Sequence, residues 1–431
     1  MDGYLRSAAA VAETVAAFRR EPLVAVDTEA ASFHRYVDRV YLIQLSTRAA
    51  TAIIDPLAVT DLAPLGGLLA DPQIEKVFHD ADYDLRILDR DYQFRARRLF
   101  DTRIAAQLAA EPAIGLAALL EKYVGVRLPK THQKADWSRR PLPPEMLAYA
   151  ADDTRHLLKL RDALRARLTE LGRLSWAEEE FRRLEELRWS GPAGEGDAYL
   201  RVKGAKTLSP RQLAALRELV GWRESVAQQE DRALFRIIGN DALLAVSRAL
   251  PKSAGDLSRV PDLPASLARR HAAALLDAVA RARALPEAAL PEIERARRPP
   301  KDSTLDERVE RLKAVRNRVA QELGIDPGVL CGRPTLEAVA RAAPNDRAGL
   351  ARVGELRRWQ AEVLGDALLV ALWKPSIART LGSMFSGVQY GSHTISTSTS
   401  FTPSRGRSVL WMSFRMRGPA GQPGEVSVMA M

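Results

Sequence analysis

The chain has 431 residues, of which 46% are hydrophobic and 27% are charged, a balance that excludes a wholly disordered protein. A chain of this length exceeds one ordinary hydrophobic core, so we expect about two to four domains. Lys and Arg outnumber Asp and Glu by 64 to 54, and the resulting formal charge of +10 favours a polyanionic partner such as nucleic acid.

Targeting signals and cysteines narrow the class of protein further. No uninterrupted apolar run approaches the roughly 20 residues of a membrane span, so we expect no membrane partner. The N-terminus carries Asp2 and Glu13 where a signal peptide has basic and apolar residues. Cys331 is the only cysteine, which excludes an internal disulfide and a cysteine-based metal cluster. We therefore expect a cytoplasmic protein.

The first part of the chain alternates strand-like and helix-like patterns. Apolar runs at 23–27, 40–46 and 51–56 predict three successive strands, and shorter runs at 76–79 and 99–102 lie between helical segments. From Gly115 onward the pattern is almost wholly helical. This order predicts an α/β domain with a mixed central sheet flanked by helices, followed by all-helical domains.

The helical part contains an internal repeat. The segment "WRESVAQQ" has a counterpart in "VRNRVAQE", and the same offset of 93 residues links Arg223 to Arg316 and Leu243 to Leu336. A constant offset predicts two copies of one small helical domain, at 200–285 and 305–374. The Pro-rich, charged stretch 286–304 is then the linker between the copies. Residues 375–431 form a basic Ser/Gly-rich tail, which we expect to be disordered.

Two acidic residues end the first predicted strand. Because side chains alternate along a strand, Asp27 and Glu29 in "LVAVDTEAASF" point to the same face. Two carboxylates on one face repel each other unless a cation lies between them. The alternative is a strand end that runs into solvent, with Thr28 beginning a turn.

Two later segments offer partners for these acids. Asp84 lies at the start of a helix that follows His79, and Tyr149 and Asp153 share one helix face because they are four residues apart. Taken singly, each of these features is better explained by structure, since acids at strand-to-helix turns are usually helix caps and a Tyr and an Asp on one helix face are more often packing and solvated surface. Together, the four carboxylates could converge on Mg²⁺ or Mn²⁺, which prefer oxygen ligands.

These motifs resemble a known family. The "DTE" segment, His79 followed by Asp84, and Tyr149 followed by Asp153 are similar to the three exonuclease motifs of the DEDD superfamily, in its Tyr-containing branch. The segment "KADWSRRPLPPEMLAYAADD" is similar to the ribonuclease D family, and the repeated helical domain resembles the HRDC domain. The resemblance covers roughly residues 20–370 and implies a ribonuclease H-like exonuclease domain over 1–190.

The resemblance also implies roles for individual residues. Tyr149 would position the attacking water, and His79 would support the site by hydrogen bonding rather than as a ligand. Two Mg²⁺ or Mn²⁺ ions would act in the hydrolysis. The implied metal ligands are Asp27, Glu29, Asp84 and Asp153.

Basic side chains just before the third motif are candidates for phosphate contacts. They are Lys130, Lys134, Arg139 and Arg140. A solvated loop is the alternative. After the first motif, Phe33 or His34 could stack on a terminal base, although Phe33 could equally be packing.

The two HRDC-like domains add further basic candidates. These are Arg232, Arg236 and Lys252 in the first copy and Arg316, Arg318 and Arg333 in the second. The domains could bind RNA, or they could pack on the nuclease and shape the entrance to its site.

The leading hypothesis is a monomeric, metal-dependent 3′→5′ exoribonuclease. Its substrates would be tRNA precursors and other structured RNA, and its products nucleoside 5′-monophosphates. A 3′→5′ exodeoxyribonuclease and a non-catalytic nucleic-acid-binding scaffold are the alternatives. A scaffold would be expected to have lost a metal carboxylate, and all four are present.

Overall fold

The structure is a computed structural model, and it describes residues 3–129, 131–191, 198–293 and 302–373, together with the strand backbones at 396–404, 407–417 and 423–430. The chain divides into two units, Met1–Leu369 and Val370–Met431. Within the described ranges, none of the helices combines the length and the apolar character needed to cross a bilayer.

A mixed sheet forms the centre of the N-terminal domain. Its strands are β1 (Gly3–Leu5), β2 (Leu23–Ala30), β3 (Val40–Ser46), β4 (Thr51–Ile54), β5 (Glu75–Phe78) and β6 (Leu99–Asp101). The spatial order is β1-β4-β3-β2-β5-β6. β2 pairs antiparallel with β3 and parallel with β5, so it lies in the interior of the sheet. The predicted mixed α/β fold is thereby confirmed.

Helices flank this sheet. They are α1 (Ala8–Phe18), α2 (Ala63–Ala70), α3 (Asp82–Tyr92), α4 (Thr102–Leu108), α5 (Leu116–Val124), α6 (Pro144–Arg155), α7 (Leu157–Glu170) and α8 (Leu174–Leu184). α6 begins with Pro144, whose fixed φ and missing N–H suit the first helical position. It packs on β2, β3 and β4 and so covers one face of the strand that carries Asp27 and Glu29.

The first helical domain follows. It contains α9 (Pro210–Glu230), α10 (Leu234–Ile237), α11 (Asn240–Ala249), α12 (Ala254–Leu257), α13 (Ala265–Arg270) and α14 (Ala272–Ala284), with short 3₁₀ turns at Ala198–Arg201, Ala205–Thr207 and Glu287–Ala289. Ser209 and Gln212 form a reciprocal capping box at the start of α9, which satisfies two of the free N–H groups there. α9 packs against α14 to make the core of this domain.

The second helical domain repeats the first with the expected offset. Its helices are α15 (Ser303–Leu323), α16 (Pro327–Leu330), α17 (Arg333–Ala342), α18 (Arg347–Ala351) and α19 (Arg358–Trp373). The first helix is 21 residues long in both copies, and α15 begins 93 residues after α9. α19 replaces the α13–α14 pair with one continuous helix.

The C-terminal unit differs from the expectation of a disordered tail. Its described backbone forms three antiparallel strands in the order β7-β8-β9, namely β7 (Ser396–Ser404), β8 (Arg407–Arg417) and β9 (Pro423–Ala430). The physical reason lies in the middle strand, since "SVLWMSFRM" is rich in the β-branched, aromatic and apolar residues that strands favour. The Ser- and Thr-rich composition of the flanking segments masked this signal. The other tail residues lie outside the described part of the chain.

Candidate active site

Three carboxylates meet on one face of the central sheet. Asp27 and Glu29 project from the end of β2, and α6 brings Asp153 over the same face. A carboxylate oxygen from each of the three lies within 4.8 Å of the other two. The structure therefore brings together these three sequence-predicted ligands, which we call the acidic cluster.

Asp84 is the fourth predicted ligand, and it lies on a different helix from Asp153. It occupies the first turn of α3, is almost fully buried, and accepts a hydrogen bond from the Thr28 hydroxyl. Asp101 fixes the start of this helix by accepting from the Ala81 N–H at 2.7 Å. Thr28 was missed by sequence reasoning. Its only signal in the sequence is its position between Asp27 and Glu29.

Burial and mutual repulsion make these acids unfavourable as anions. Burial raises the pKa values of Asp27, Glu29 and Asp84 well above normal, and neighbouring carboxylates raise them further. Burial, followed by the charge of Asp152, raises the pKa of Asp153 to about 7.

The donor set fits a divalent metal ion. Within the described residues, no Lys or Arg forms an ion pair with Asp27, Glu29, Asp84 or Asp153, so a concentration of negative charge is left without protein cations. A divalent cation would compensate this charge, and an all-oxygen set suits a hard cation.

Tyr149 lies next to the acidic cluster with its phenol in the neutral form. Burial raises the pKa of Tyr149 far above normal, and the charges of Asp153, Glu29 and Asp27 raise it further. Trp137 and His132 pack around the ring, with centroid distances of 6.2 and 5.7 Å. A neutral, fixed phenol can donate and accept hydrogen bonds, but it is a poor general base at neutral pH.

Two adjoining cavities open on the acidic cluster. The first is about 240 Å³ and is lined by Asp27, Thr28, Glu29, His79, Leu116, Gln133, Tyr149 and Asp153. The second, about 320 Å³, shares four of these residues and extends along the first turn of α5. Together they have the size of a small-ligand pocket. Leu116 and Gln133 are further lining residues that motif reasoning did not find.

His79 lines the pocket and has a defined tautomer. Thr102 Oγ1 donates its single hydrogen to the Phe78 carbonyl at 3.0 Å, so His79 Nδ1, 2.9 Å away, must donate to Thr102. Burial lowers the pKa of His79 to about 4, which keeps the ring neutral. Its hydrogen-bond partner is thus Thr102 rather than a carboxylate of the cluster.

The four basic candidates have different environments. Arg140 donates two hydrogen bonds to Asp55, at 2.7 and 2.8 Å, and a third to the Tyr41 carbonyl. Its guanidinium is therefore bound by groups of the protein itself. Arg139 is 77% exposed, and the ammonium of Lys134 lies 5.5 Å from the centroid of the Phe33 ring. Lys130 lies outside the described residues.

One candidate arginine of the second helical domain, Arg316, makes an internal contact that its equivalent in the first domain, Arg223, also makes. Arg223 donates to the Ile238 carbonyl, and Arg316 donates to the equivalent carbonyl of Cys331 in the second copy. In the first copy, Arg236 donates to the Phe33 carbonyl, so this domain packs on the loop that follows Glu29.

Comparison with known proteins places this arrangement in a family. A family model described as a 3′-5′ exonuclease matches residues 4–169, and the HRDC domain model matches 212–279 and 306–372. Ribonuclease D from Pseudomonas paraeruginosa is 33% identical over 372 residues, which cover 86% of this chain and 97% of the relative. The chain belongs to the ribonuclease D family.

Solved structures agree with the ribonuclease D assignment. The crystal structure of Escherichia coli RNase D, an exoribonuclease involved in structured RNA processing, is similar with a TM-score of 0.63 and 30% identity, covering 87% of this chain and 100% of that one. The catalytic core of RRP6 from Trypanosoma brucei is similar with a TM-score of 0.59 and 31% identity, covering 66% and 81%. The predicted activity, a 3′→5′ exoribonuclease with HRDC domains, is confirmed, and its substrate class is RNA.

Proposed function

We propose that this protein trims the 3′ ends of tRNA precursors and other structured RNA and releases nucleoside 5′-monophosphates. The observation that carries the proposal is the acidic cluster, in which three carboxylates lie within 4.8 Å of one another beside Tyr149. The pocket is small, which suits one chain end entering at a time and favours exonucleolytic over internal cleavage.

We further propose that two Mg²⁺ or Mn²⁺ ions bind at Asp27, Glu29, Asp84 and Asp153. Such ions, when bound, supply Lewis acidity and a hydroxide nucleophile at neutral pH. Thr28 holds Asp84 in place through its hydroxyl. The half-buried position of Asp27 and Glu29 limits competing water and reduces the screening of charges at the site.

In this proposal Tyr149 orients the attacking water. Its phenol stays neutral because burial raises its pKa, and the negative charges of Asp153 and Glu29 raise that pKa further. It therefore acts by hydrogen bonding, and its packing against Trp137 limits its freedom to move away from the pocket.

The substrate contacts are proposed as follows. The exposed Arg139 and Lys134 contact phosphates near the pocket, whereas Arg140 is omitted because Asp55 already binds its guanidinium. Lys130 stays a prediction from the sequence. A monomeric state and a cytoplasmic location are likewise predictions.

The test is the cleavage of a 5′-labelled tRNA precursor with a 3′ extension. With Mg²⁺ we expect a ladder that shortens stepwise from the 3′ end, and with EDTA or the Asp153→Asn variant we expect a loss of at least about 10³-fold in rate. Asp152→Asn is the matched control, because Asp152 bonds Arg155 on the same helix. RNA that binds but stays uncut with Mg²⁺ would contradict the proposal, and preferential cleavage of the matched DNA would favour the exodeoxyribonuclease alternative.

A further inference from the structure

The loop after β2, residues 31–39, is fixed by the first HRDC domain. We call it the docked loop. The Ala233 N–H donates to the His34 carbonyl at 3.2 Å, and the Tyr36 N–H donates to Asp231 at 3.2 Å. Arg35 pairs with the same aspartate at 3.3 Å. The conformation of the docked loop therefore depends on contacts from a separate domain.

The other side of the docked loop contacts the basic segment that precedes α6. His34 Nε2 donates to the Lys134 carbonyl at 2.9 Å, and Arg35 donates to the Ser138 hydroxyl at 2.6 Å. His34 Nδ1 accepts from Arg236 at 3.1 Å, which is consistent with this tautomer. The docked loop thus joins the HRDC domain to the segment that supplies the proposed phosphate contacts.

Two aromatic rings from different domains meet at this junction and stay exposed. Phe33 of the docked loop is 47% exposed and Phe235 of the HRDC domain is 55% exposed. Their centroids lie 6.1 Å apart in an edge-to-face arrangement. The Lys134 ammonium lies 5.5 Å from the Phe33 centroid, and the Arg236 guanidinium lies 5.9 Å from the Phe235 centroid. We call Phe33 and Phe235 the aromatic pair.

The position of the aromatic pair connects it to the pocket. Phe33 follows Glu29 by four residues, and Lys134 directly follows Gln133, which lines the cavity. Exposed rings beside cations are the combination that binds unpaired nucleic acid, because bases stack on the rings while the cations contact phosphates. Internal packing does not explain the exposure of both rings, since each leaves about half of its surface open to solvent.

We propose that Phe33 and Phe235 form a stacking platform for one unpaired base of the RNA 3′ extension, upstream of the terminal nucleotide, with Lys134 at an adjacent phosphate. This proposal rests on the exoribonuclease function proposed above. It gives the first HRDC domain a direct part in substrate binding, because the platform is complete only when this domain contacts the docked loop. The occupant is single-stranded RNA, since the faces of a base inside a duplex are already covered by its stacked neighbours.

The experiment compares the wild-type protein with the double variant Phe33→Leu, Phe235→Leu, which keeps apolar bulk and removes both rings. The substrates are hairpin RNAs with 3′ extensions of increasing length, a set with one abasic residue at each position of the extension, and a dinucleotide. For the wild-type protein we expect KM to rise about tenfold when the abasic residue occupies one particular upstream position. The double variant should show about the same rise on intact extensions and no further dependence on abasic position.

The controls separate this inference from the proposed function. Dinucleotide cleavage should be unchanged in the double variant, and Phe33→Tyr with Phe235→Tyr should restore the wild-type KM. Leu57→Ala, which shortens an apolar side chain that is 46% exposed outside the docked loop, should have no effect. If the wild-type protein cleaves no substrate, the proposed function fails. If it cleaves all of them and the double variant has the same KM or loses dinucleotide cleavage equally, the platform is overturned while the nuclease stands.

Discussion

Two carboxylate sites on the same sheet have opposite electrostatic surroundings. Asp55, just after β4, accepts hydrogen bonds from Arg140 and Tyr4. Burial alone would raise the pKa of Asp55, but these partners outweigh it and the pKa falls below normal. The acidic cluster has no such cation among the described residues, and the pKa values of its members rise. The negative charge of Asp55 is compensated by Arg140 within the protein, whereas the negative charge of the acidic cluster requires a cation from solution.

The largest effect on stability is expected at Asp55. Arg140→Ala leaves Asp55 buried without its cation, so we expect a loss of about 3–5 kcal/mol in the free energy of unfolding of this domain. Thermal and urea unfolding of the full chain would measure it. Arg139→Ala is the control, since this neighbour is 77% exposed and its loss should leave stability unchanged. Equal stability of Arg140→Ala and the wild-type protein would remove the contrast between the two sites.

Metal addition tests the acidic cluster. Mg²⁺ or Mn²⁺ at about 100 times its Kd should stabilise the wild-type protein by about 3 kcal/mol, because the ion binds the folded state and compensates the acidic cluster. Differential scanning calorimetry, with and without metal, would show the shift. The shift should vanish in Asp153→Asn and persist in Asp152→Asn. A metal effect that is the same in both variants would place the ion elsewhere.

Removing one charge from the acidic cluster should increase stability while it abolishes activity. In metal-free buffer near pH 7, Asp27→Asn relieves burial and repulsion of a carboxylate, so we expect a gain of about 1–2 kcal/mol in the free energy of unfolding. Chemical denaturation in EDTA measures the gain, and the tRNA-precursor assay measures the loss of activity. A destabilised Asp27→Asn protein would mean that the carboxylate has an internal partner, as Asp55 does.

The smallest expected effect concerns the support of Asp84. Thr28→Val removes the hydroxyl that donates to Asp84 without changing side-chain volume greatly. We expect kcat to fall about tenfold with little change in KM, corresponding to about 1.4 kcal/mol. Thr28→Ser should restore most of the rate because it keeps the hydroxyl. If Val and Ser behave alike, the hydrogen bond has no part in positioning Asp84.

Local periodicity made much of the fold and of the candidate site predictable. Strand alternation put Asp27 and Glu29 on one face, and helical spacing put Tyr149 and Asp153 on another face that could meet it. The offset of 93 residues is reproduced by the starts of α9 and α15. Each of these inferences depends only on residues that are close in sequence or on a constant offset between two copies.

Contacts between distant residues were not predictable in the same way. Arg140 was predicted to contact phosphate because it lies in a basic segment. Its actual partner, Asp55, lies 85 residues earlier in the chain, so the sequence near Arg140 gives no sign of the contact. Phe33 and Phe235 gave no joint signal, since their contact depends on how two domains pack. The strands of the C-terminal unit were missed because their Ser and Thr content resembles that of a flexible segment.

The internal repeat keeps one side-chain contact in both copies. Arg223 and Arg316 each bridge to the matching carbonyl of their own copy, so both copies keep the same internal brace. The same arginine-to-carbonyl contact in both copies is the pattern expected of one helical module that occurs twice. Outside this contact the copies differ, since Phe235 and Arg236 of the first copy contact the docked loop and the second copy has the single helix α19. The two copies therefore share one internal contact and differ in the contacts that surround it.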